Sequence, residues 1–245
     1  MADNAFLDKG VILGFCFFTD PHHRECRRYL FNGDTEYFVT EQVENIFRNA
    51  KDSIIEEHRS QVLRNIQQVK VNFQGELSES DIEEIQSEID RDENSAWRYL
   101  EDFYDDKAGR GVYEVTDELR EVIREMEQRA EARKETLYST FQGWLRISSH
   151  ESVQDELTQL RAQDEEDFWI VIDAHDVAAN MPGETELATT NPAEFADDQI
   201  KEEVLGATAI DSIQLVFVSR DYSPSALRSN SSDGSAPANV SGDDA

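Results

Sequence analysis

Four oxygen-bearing side chains stand just past apolar segments that read as strands, or at the start of helices: Asp8, Glu44, Asp167 and Asn191. Asp8 ends the short apolar strand Asn4-Ala5-Phe6-Leu7. Glu44 sits one turn into the helix after Tyr37-Phe38-Val39, with Glu41 as its rival for the same role. Asp167 opens the helix that precedes the strand Glu186-Leu187-Ala188-Thr189, and Asn191 follows that strand directly. Carboxylates and an amide oxygen at one point suit a hard divalent cation, Mg2+ or Mn2+, with water completing an octahedron. A cation so held lowers the pKa of a bound water and neutralises charge on a phosphodiester under attack. Thr190, beside Asn191, is placed to position a phosphate or a water.

Plainer readings stand beside these. Asp8 serves equally as a helix N-cap, and Asn191 before Pro192 as another. Glu44 fits a solvated helix face in an acidic chain. Asp167 belongs to the acidic run Asp164-Glu165-Glu166-Asp167, which favours a helix N-terminus electrostatically. Asp173 and Asp176 are rotated away from the Asp167 face of the same helix. His22 and His23 read as exposed or capping residues. Arg24, Arg27 and Arg28 face either nucleic-acid phosphates or the surrounding acids.

The elements that must position these groups follow from periodicity. Residues 4–7 and 37–39 are strand-like, and Val11 to Phe17 is nearly all apolar, which implies a buried segment. Asp20-Pro21 starts a helix that runs to about Leu30. Thr40 caps a long helix whose stripe runs from Val43 to Phe73 in steps of three and four. Ser78 with Asp81 resembles a capping box for a helix carrying Ile82 to Phe103. A further helix starts at Thr116-Asp117 and a short one spans about 150–163, so residues 51–149 read as almost wholly helical. Ser212 to Val218 reads as an edge strand. Short strands between helices predict an α/β fold with a parallel sheet covered on both faces. Ligands in such sheets bind outside the carboxyl ends of the strands. The expected division is an α/β core at 1–50 and 150–220, a helical insertion at 51–149, and a disordered Ser-rich acidic tail at 223–245.

Composition sets the surroundings. Asp and Glu number 53 against 23 Lys plus Arg, a formal net charge of −30, and only six of those 23 are Lys. Dense carboxylates with scarce Lys point to a halophilic protein, because at roughly 1 M ionic strength the Debye length is about 3 Å and self-repulsion is screened. The acidity does not exclude RNA, since a local site can hold it through metal and Arg. No run of 18 apolar residues exists and the start lacks a basic region, so neither a membrane span nor a signal peptide is expected, and a cytoplasmic location is. Cys16 and Cys26 read as reduced, buried thiols, and with His22 and His23 they fit no standard zinc spacing.

At the four candidate residues the chain resembles the PIN-domain ribonucleases. Phe6-Leu7-Asp8-Lys9-Gly10-Val11-Ile12-Leu13-Gly14 is similar to the family's opening strand, acid and buried helix, and Asp20-Pro21-His22-His23 with Tyr29-Leu30 to its next helix. Phe38-Val39-Thr40-Glu41-Gln42-Val43-Glu44 resembles the strand and turn before its second acid. Asp167-Phe168-Trp169-Ile170-Val171-Ile172-Asp173-Ala174 resembles its third-acid helix, and Leu187-Ala188-Thr189-Thr190-Asn191-Pro192-Ala193-Glu194-Phe195 its closing strand and turn.

The resemblance covers about 1–50 and 160–220. It implies a Mg2+- or Mn2+-dependent endoribonuclease, with Asp8, Glu44 and Asp167 holding the metal, Asn191 orienting a ligand water, and RNA as substrate. The family's commonest role, the toxin of a toxin–antitoxin pair, adds an antitoxin-like protein as an expected partner. Two departures bear on this: Asn191 stands where the family usually has Asp, and the stretch between Glu44 and Asp167 is unusually long. Two other functions therefore remain open. One is a catalytically degenerate PIN-like module that binds RNA or protein. The other is a helical interaction scaffold anchored by Trp97, Tyr99, Phe103, Tyr104 and Trp144. Oligomeric state is not specified.

Overall fold

The computed structural model describes residues 2–31, 33–40 and 43–218, without the side chains of Val43, Glu44 and Glu194. The expected tail at 223–245 and the rival acid Glu41 lie outside the described residues. In chain order the elements are β1 (Asn4–Leu7), α1 (Lys9–Cys16), α2 (His23–Leu30), β2 (Glu36–Thr40), α3 (Val43–Asn72), α4 (Glu79–Ser87), α5 (Trp97–Tyr104) and α6 (Val112–Thr140). There follow β3 (Gln142–Trp144), α7 (Glu151–Glu156), α8 (Thr158–Gln163), α9 (Glu165–Asn180), β4 (Thr185–Thr189), α10 (Pro192–Phe195), α11 (Asp198–Ala207) and β5 (Ser212–Leu215).

The strands form one all-parallel sheet in the order β3-β2-β1-β4-β5. Successive side chains on a strand point to opposite faces, and here both faces are apolar. Ala5, Leu7, Tyr37, Val39 and Ala188 pack with α1, α2 and the sheet-proximal parts of α3 and α6. Phe6, Phe38, Leu187 and Ile213 pack on the other face with Phe168, Val171, Ile172 and Val204 of α9 and α11. Each such fully buried side chain contributes about 1.5–3 kcal/mol relative to exposure, which fixes the sheet register.

α3 and α6 run alongside one another as a long hairpin. Away from the sheet they close a third cluster with α4 and α5, built on Val62, Ile66, Leu100, Tyr104, Val115 and Leu119. The domain boundary expected at residue 51 falls inside the continuous α3. Phe47 and Ile55 of that helix share the sheet cluster with Ala130 and Leu137 of α6. Among the described residues no helix is long and apolar enough to cross a membrane. Cys16 and Cys26 are both free and buried.

Several local expectations are corrected. Residues 142–144 form an edge strand rather than helix, held by Trp144, whose ring lies edge-on to Phe38 at 5.6 Å. The expected helix from Ile82 to Phe103 is two helices. Asp90 Oδ1 accepts from the amides of Asp92 and Glu93, and Asn94 Oδ1 from that of Ala96, so side chains satisfy backbone donors that a helix would have used. The helix expected from Thr116 begins at Val112 behind Gly111, and the segment at 150–163 divides at Leu157 into α7 and α8. His22 and His23 are half-buried and hydrogen-bonded rather than exposed: His22 stands at the N-cap position of α2 without a side-chain capping bond, its Nδ1 accepting from the Val218 amide at 3.0 Å, and His23 Nδ1 lies 3.0 Å from the Gly14 carbonyl oxygen. Asp20 does not cap α2 directly. Its Oδ1 accepts from the His22 amide at 2.7 Å within a turn, and α2 starts one residue later.

Asp176 does turn away from Asp167, but into a role that periodicity did not show. Its fully buried carboxylate accepts from Trp144 Nε1 at 2.9 Å, the Ile147 amide at 2.8 Å and the Ser148 amide at 3.3 Å, and it lies 2.5 Å from His150 Nε2. His150 takes up a left-handed backbone (φ 53°) to reach it. One carboxylate thus ties the segment after β3 to α9. Burial raises its pKa, but these donors together hold it below the usual carboxylate value.

Candidate metal centre at the carboxyl ends of strands β1 and β4

The chain leaves β1 toward β2 on one side and later returns to place β4 on the other. β1 and β4 are therefore the neighbours at which the winding direction reverses. The crevice beyond their carboxyl ends receives Asp8 from β1 and Thr189, Thr190 and Asn191 from β4. Asp8 is locked there by its backbone: its amide donates to the Ala188 carbonyl at 2.9 Å, and its own carbonyl accepts from Val11 at 3.1 Å. It occupies the N-cap position of α1, yet its side chain makes no capping bond. Its carboxylate is turned toward the Thr189 hydroxyl, which donates to Asp8 Oδ2 at 2.8 Å.

From Thr189 the network runs on to α9. Thr189 Oγ1 accepts from the Asn191 amide at 3.0 Å, and Asn191 Nδ2 donates to Asp167 Oδ2 at 3.0 Å. Asp167 is delivered by the first turn of α9. There Asp164, not Asp167, is the cap, accepting from the Glu166 and Asp167 amides at 2.8 and 3.0 Å. Lys9 in the first turn of α1 pairs with Glu166 in the first turn of α9, which holds the two helix starts together. Asp8, Asp167, Thr189 and Asn191 therefore belong to one connected group. Asn191 spends its side-chain oxygen on the Ala193 amide at 3.1 Å, so it also caps α10. Glu44 falls in the first turn of α3, and its side chain lies outside the described residues.

Burial pushes the Asp8 carboxyl above its usual value, against the Thr189 hydroxyl, the nearby Lys9 ammonium and the backbone amides of Lys9 and Gly10, which lower it. Asp8 Oδ1 is shielded from solvent and has no hydrogen-bond partner among the described residues. A desolvated carboxylate oxygen without a donor is costly, and a cation would offset that cost. Among the described residues no group of three or more His, Cys, Asp or Glu is disposed to hold a metal ion. The described part offers two carboxylates, Asp8 and Asp167, and Glu44 is the third donor in the sequence. In donor type and in the orphaned Asp8 oxygen, this set fits a hard cation.

Two contributors were missed by the sequence reading. Thr189 bridges Asp8 to the Asn191 loop, and Gly10 lets that loop close. A Cβ on Gly10 would lie 1.9 Å from Thr190 Oγ1 and 3.3 Å from Thr190 Cβ, so a side chain there would displace the Thr190 hydroxyl from its present position. The available signal was a glycine in the first turn of a helix, where it weakens the helix relative to Ala and so calls for a packing reason.

Fold and site together define the class: a parallel α/β protein with two buried acids, Asp8 and Asp167, linked at the reversal point of its sheet. In comparisons with known proteins, no family model, no curated protein and no solved structure matches the chain.

Proposed function

We propose that this protein is a divalent-metal-dependent endoribonuclease of PIN-like type, working in the cytoplasm at high salt. The observation that carries the reading is the convergence of Asp8 and Asp167 through Thr189 and Asn191, with Asp8 Oδ1 left without a donor. Asp8, Asp167 and Glu44 would hold Mg2+ or Mn2+. When bound, the ion would supply Lewis-acid activation and offset charge on the phosphodiester. The chain's own residues do the rest. Thr189 orients Asp8, Asn191 holds Asp167, and Thr190, pressed against Gly10, presents a hydroxyl at the mouth for a substrate phosphate.

One observation favours a second reading, a catalytically degenerate PIN-like RNA-binding module. Asn191 uses its oxygen to cap α10 and its amide to bind Asp167, so it adds no ligand oxygen of its own.

The test is RNA cleavage by the purified chain in molar KCl with Mn2+, alongside the thermal midpoint with and without the metal. Mn2+ should raise the midpoint, as a ligand of the native state does. Asp8→Asn should abolish both the shift and cleavage while leaving the fold intact. No cleavage by the native chain overturns the nuclease reading. If Mn2+ also leaves the midpoint unmoved, the metal site falls with it and the helical scaffold reading takes its place.

A further inference from the structure

The molecule carries more than twice as many acids as bases. In one place several guanidiniums nevertheless gather around a shared cleft. Arg24, Arg27 and Arg28 are exposed on α2, and across a cleft of about 350 Å3 Arg24 and Arg27 face Arg98 of α5 and Arg133 of α6. A second hollow of about 370 Å3 continues along α2, lined by Arg24, Arg27, Arg28 and the exposed ring of Phe31.

Some of these charges are matched: Arg24 meets Asp102 at 3.2 Å, and Arg98 pairs with Glu25 and approaches Asp102. Others are not. Among the described residues, Arg27 and Arg28 form no ion pair. Arg133 meets the Cys16 carbonyl at 3.4 Å and the Phe18 ring at 5.3 Å but no carboxylate. Arg27 and Arg129 stand close enough to Arg133 to add to burial in lowering its pKa, a sign of like charges crowded together. The remaining acid on the cleft wall, Asp20, is tied to the His22 amide. Tyr99 and Phe103 add aromatic faces to the same wall.

The cleft adjoins a hollow that reaches the loop beside the candidate centre. Pro21 lines the cleft and also this neighbouring hollow of about 490 Å3, which reaches His22, Trp97 and Pro192, the residue after Asn191, and whose wall carries Arg91 together with the acids Glu57, Asp92 and Glu93. We propose that this arginine cleft is the docking track for the phosphate backbone of single-stranded RNA leading to the Asn191 loop. RNA as the occupant rests on the nuclease reading; the demand for a polyanion rests on the arginines alone. Guanidiniums beside aromatic faces are what a flexible single strand requires, phosphates on the first and bases on the second. Close contact also suits molar salt, where attraction beyond about 3 Å is screened away.

The experiment is fluorescence anisotropy of a short labelled oligouridylate with the full chain in EDTA, across a KCl series. Arg27→Glu with Arg28→Glu, both at exposed positions, should weaken binding at least tenfold. It should also flatten the salt dependence by about 1.4, the equivalent of two phosphates on a single strand. The Mn2+ shift of the thermal midpoint should be unchanged. Asp8→Asn should do the reverse, losing the Mn2+ shift and keeping RNA affinity. Unchanged RNA affinity in the arginine variant overturns the docking track and leaves the metal reading standing. Loss of affinity in a chain that never responds to Mn2+ supports the track and removes the metal reading. If oligoglutamate displaces the RNA at equal charge concentration, the cleft serves an acidic protein partner and the inference is overturned.

Discussion

The side-chain amide of Asn191 donates to Asp167 Oδ2 at 3.0 Å, while the oxygen of the same side chain accepts from the Ala193 amide. One residue thereby caps α10 and neutralises a lone pair of a buried acid. A carboxylate at this position would keep the cap, because Asp and Asn cap equally well. It would, however, set a negative charge against Asp167 in place of a donor. Asn191→Asp is therefore expected to lower the thermal midpoint in EDTA and to show a larger Mn2+-induced rise than the native chain. A variant as stable as the native chain in EDTA, with no added response to Mn2+, would show that residue 191 does not face a cation site.

Gly10 and Thr190 are expected to be coupled. The contact a Gly10 Cβ would make is chiefly with the Thr190 hydroxyl, 1.9 Å away, which must rotate out of the way. Gly10→Ala should cost about 1–3 kcal/mol as an overpacked site. Thr190→Ala removes the hydroxyl and should return part of that cost, so urea unfolding of the two single variants and the double variant should be non-additive. Additive values would mean that the loop shifts as a whole.

Much of the sheet was legible because β1 and β2 are buried on both faces and read as short apolar runs, and β4 shows Leu187-Ala188 flanked by β-branched Thr185 and Thr189. β3 was not, since Gln142 and Gly143 are exposed and only Trp144 is anchored, which leaves no periodic signal over three residues. The acids at the crevice were legible as residues that follow strands. Their supports were not. Thr189 lies 181 positions from Asp8, and Gly10 meets Thr190 across 180, so neither partner could be inferred from local spacing. Asp164 displaced Asp167 from the cap because either residue suits that position by type, and only the backbone geometry decides.

Asp176 is predicted to be one of the most sensitive residues outside the crevice. Removing its carboxylate leaves the half-buried donors of Trp144, Ile147 and Ser148 without their acceptor. Asp176→Ala should cost on the order of 1–3 kcal/mol, as for hydrogen-bond donors left without their acceptor. Asp176→Asn keeps one acceptor oxygen but points an NH2 at the remaining donors, so it should fall between the two. Urea midpoints monitored by tryptophan fluorescence give this ranking, and an Asn variant equal to the native chain would contradict it.

A pH dependence follows from Asp20, whose carboxyl burial pushes up to about 7. The folded chain then keeps a proton that the unfolded chain releases near the ordinary carboxylate value. The native state binds more protons between about pH 4 and 7, and this group's contribution to stability falls as pH rises through that window. His58 and His23, each held by burial at about 4, work in the opposite sense over nearly the same range. The native curve therefore mixes opposing groups, and a difference is needed. The stability of Asp20→Asn relative to the native chain should grow from pH 4 to 7 and level off above. A difference that shrinks with pH would reverse the assignment.

Salt is predicted to stabilise the fold, although it acts in two directions. It weakens the ion pairs on the surface, such as Arg120–Asp117, Arg124–Glu121 and Arg129–Glu125 along α6. Exposed pairs of this kind contribute only about 0–1 kcal/mol each. Against them stands the mutual repulsion of a chain with formal charge −30, which each acid feels from many others. Salt lowers both terms, but the repulsion is summed over the whole surface while the exposed pairs are individually weak, so relief of repulsion should win. The thermal midpoint should rise steadily from about 0.2 to 3 M KCl. Sulfate and other strongly excluded salts stabilise by a different route, through apolar burial, so KCl and NaCl are the informative pair. A midpoint that is flat or falling in both would contradict the halophilic reading and place the acidity in some other role.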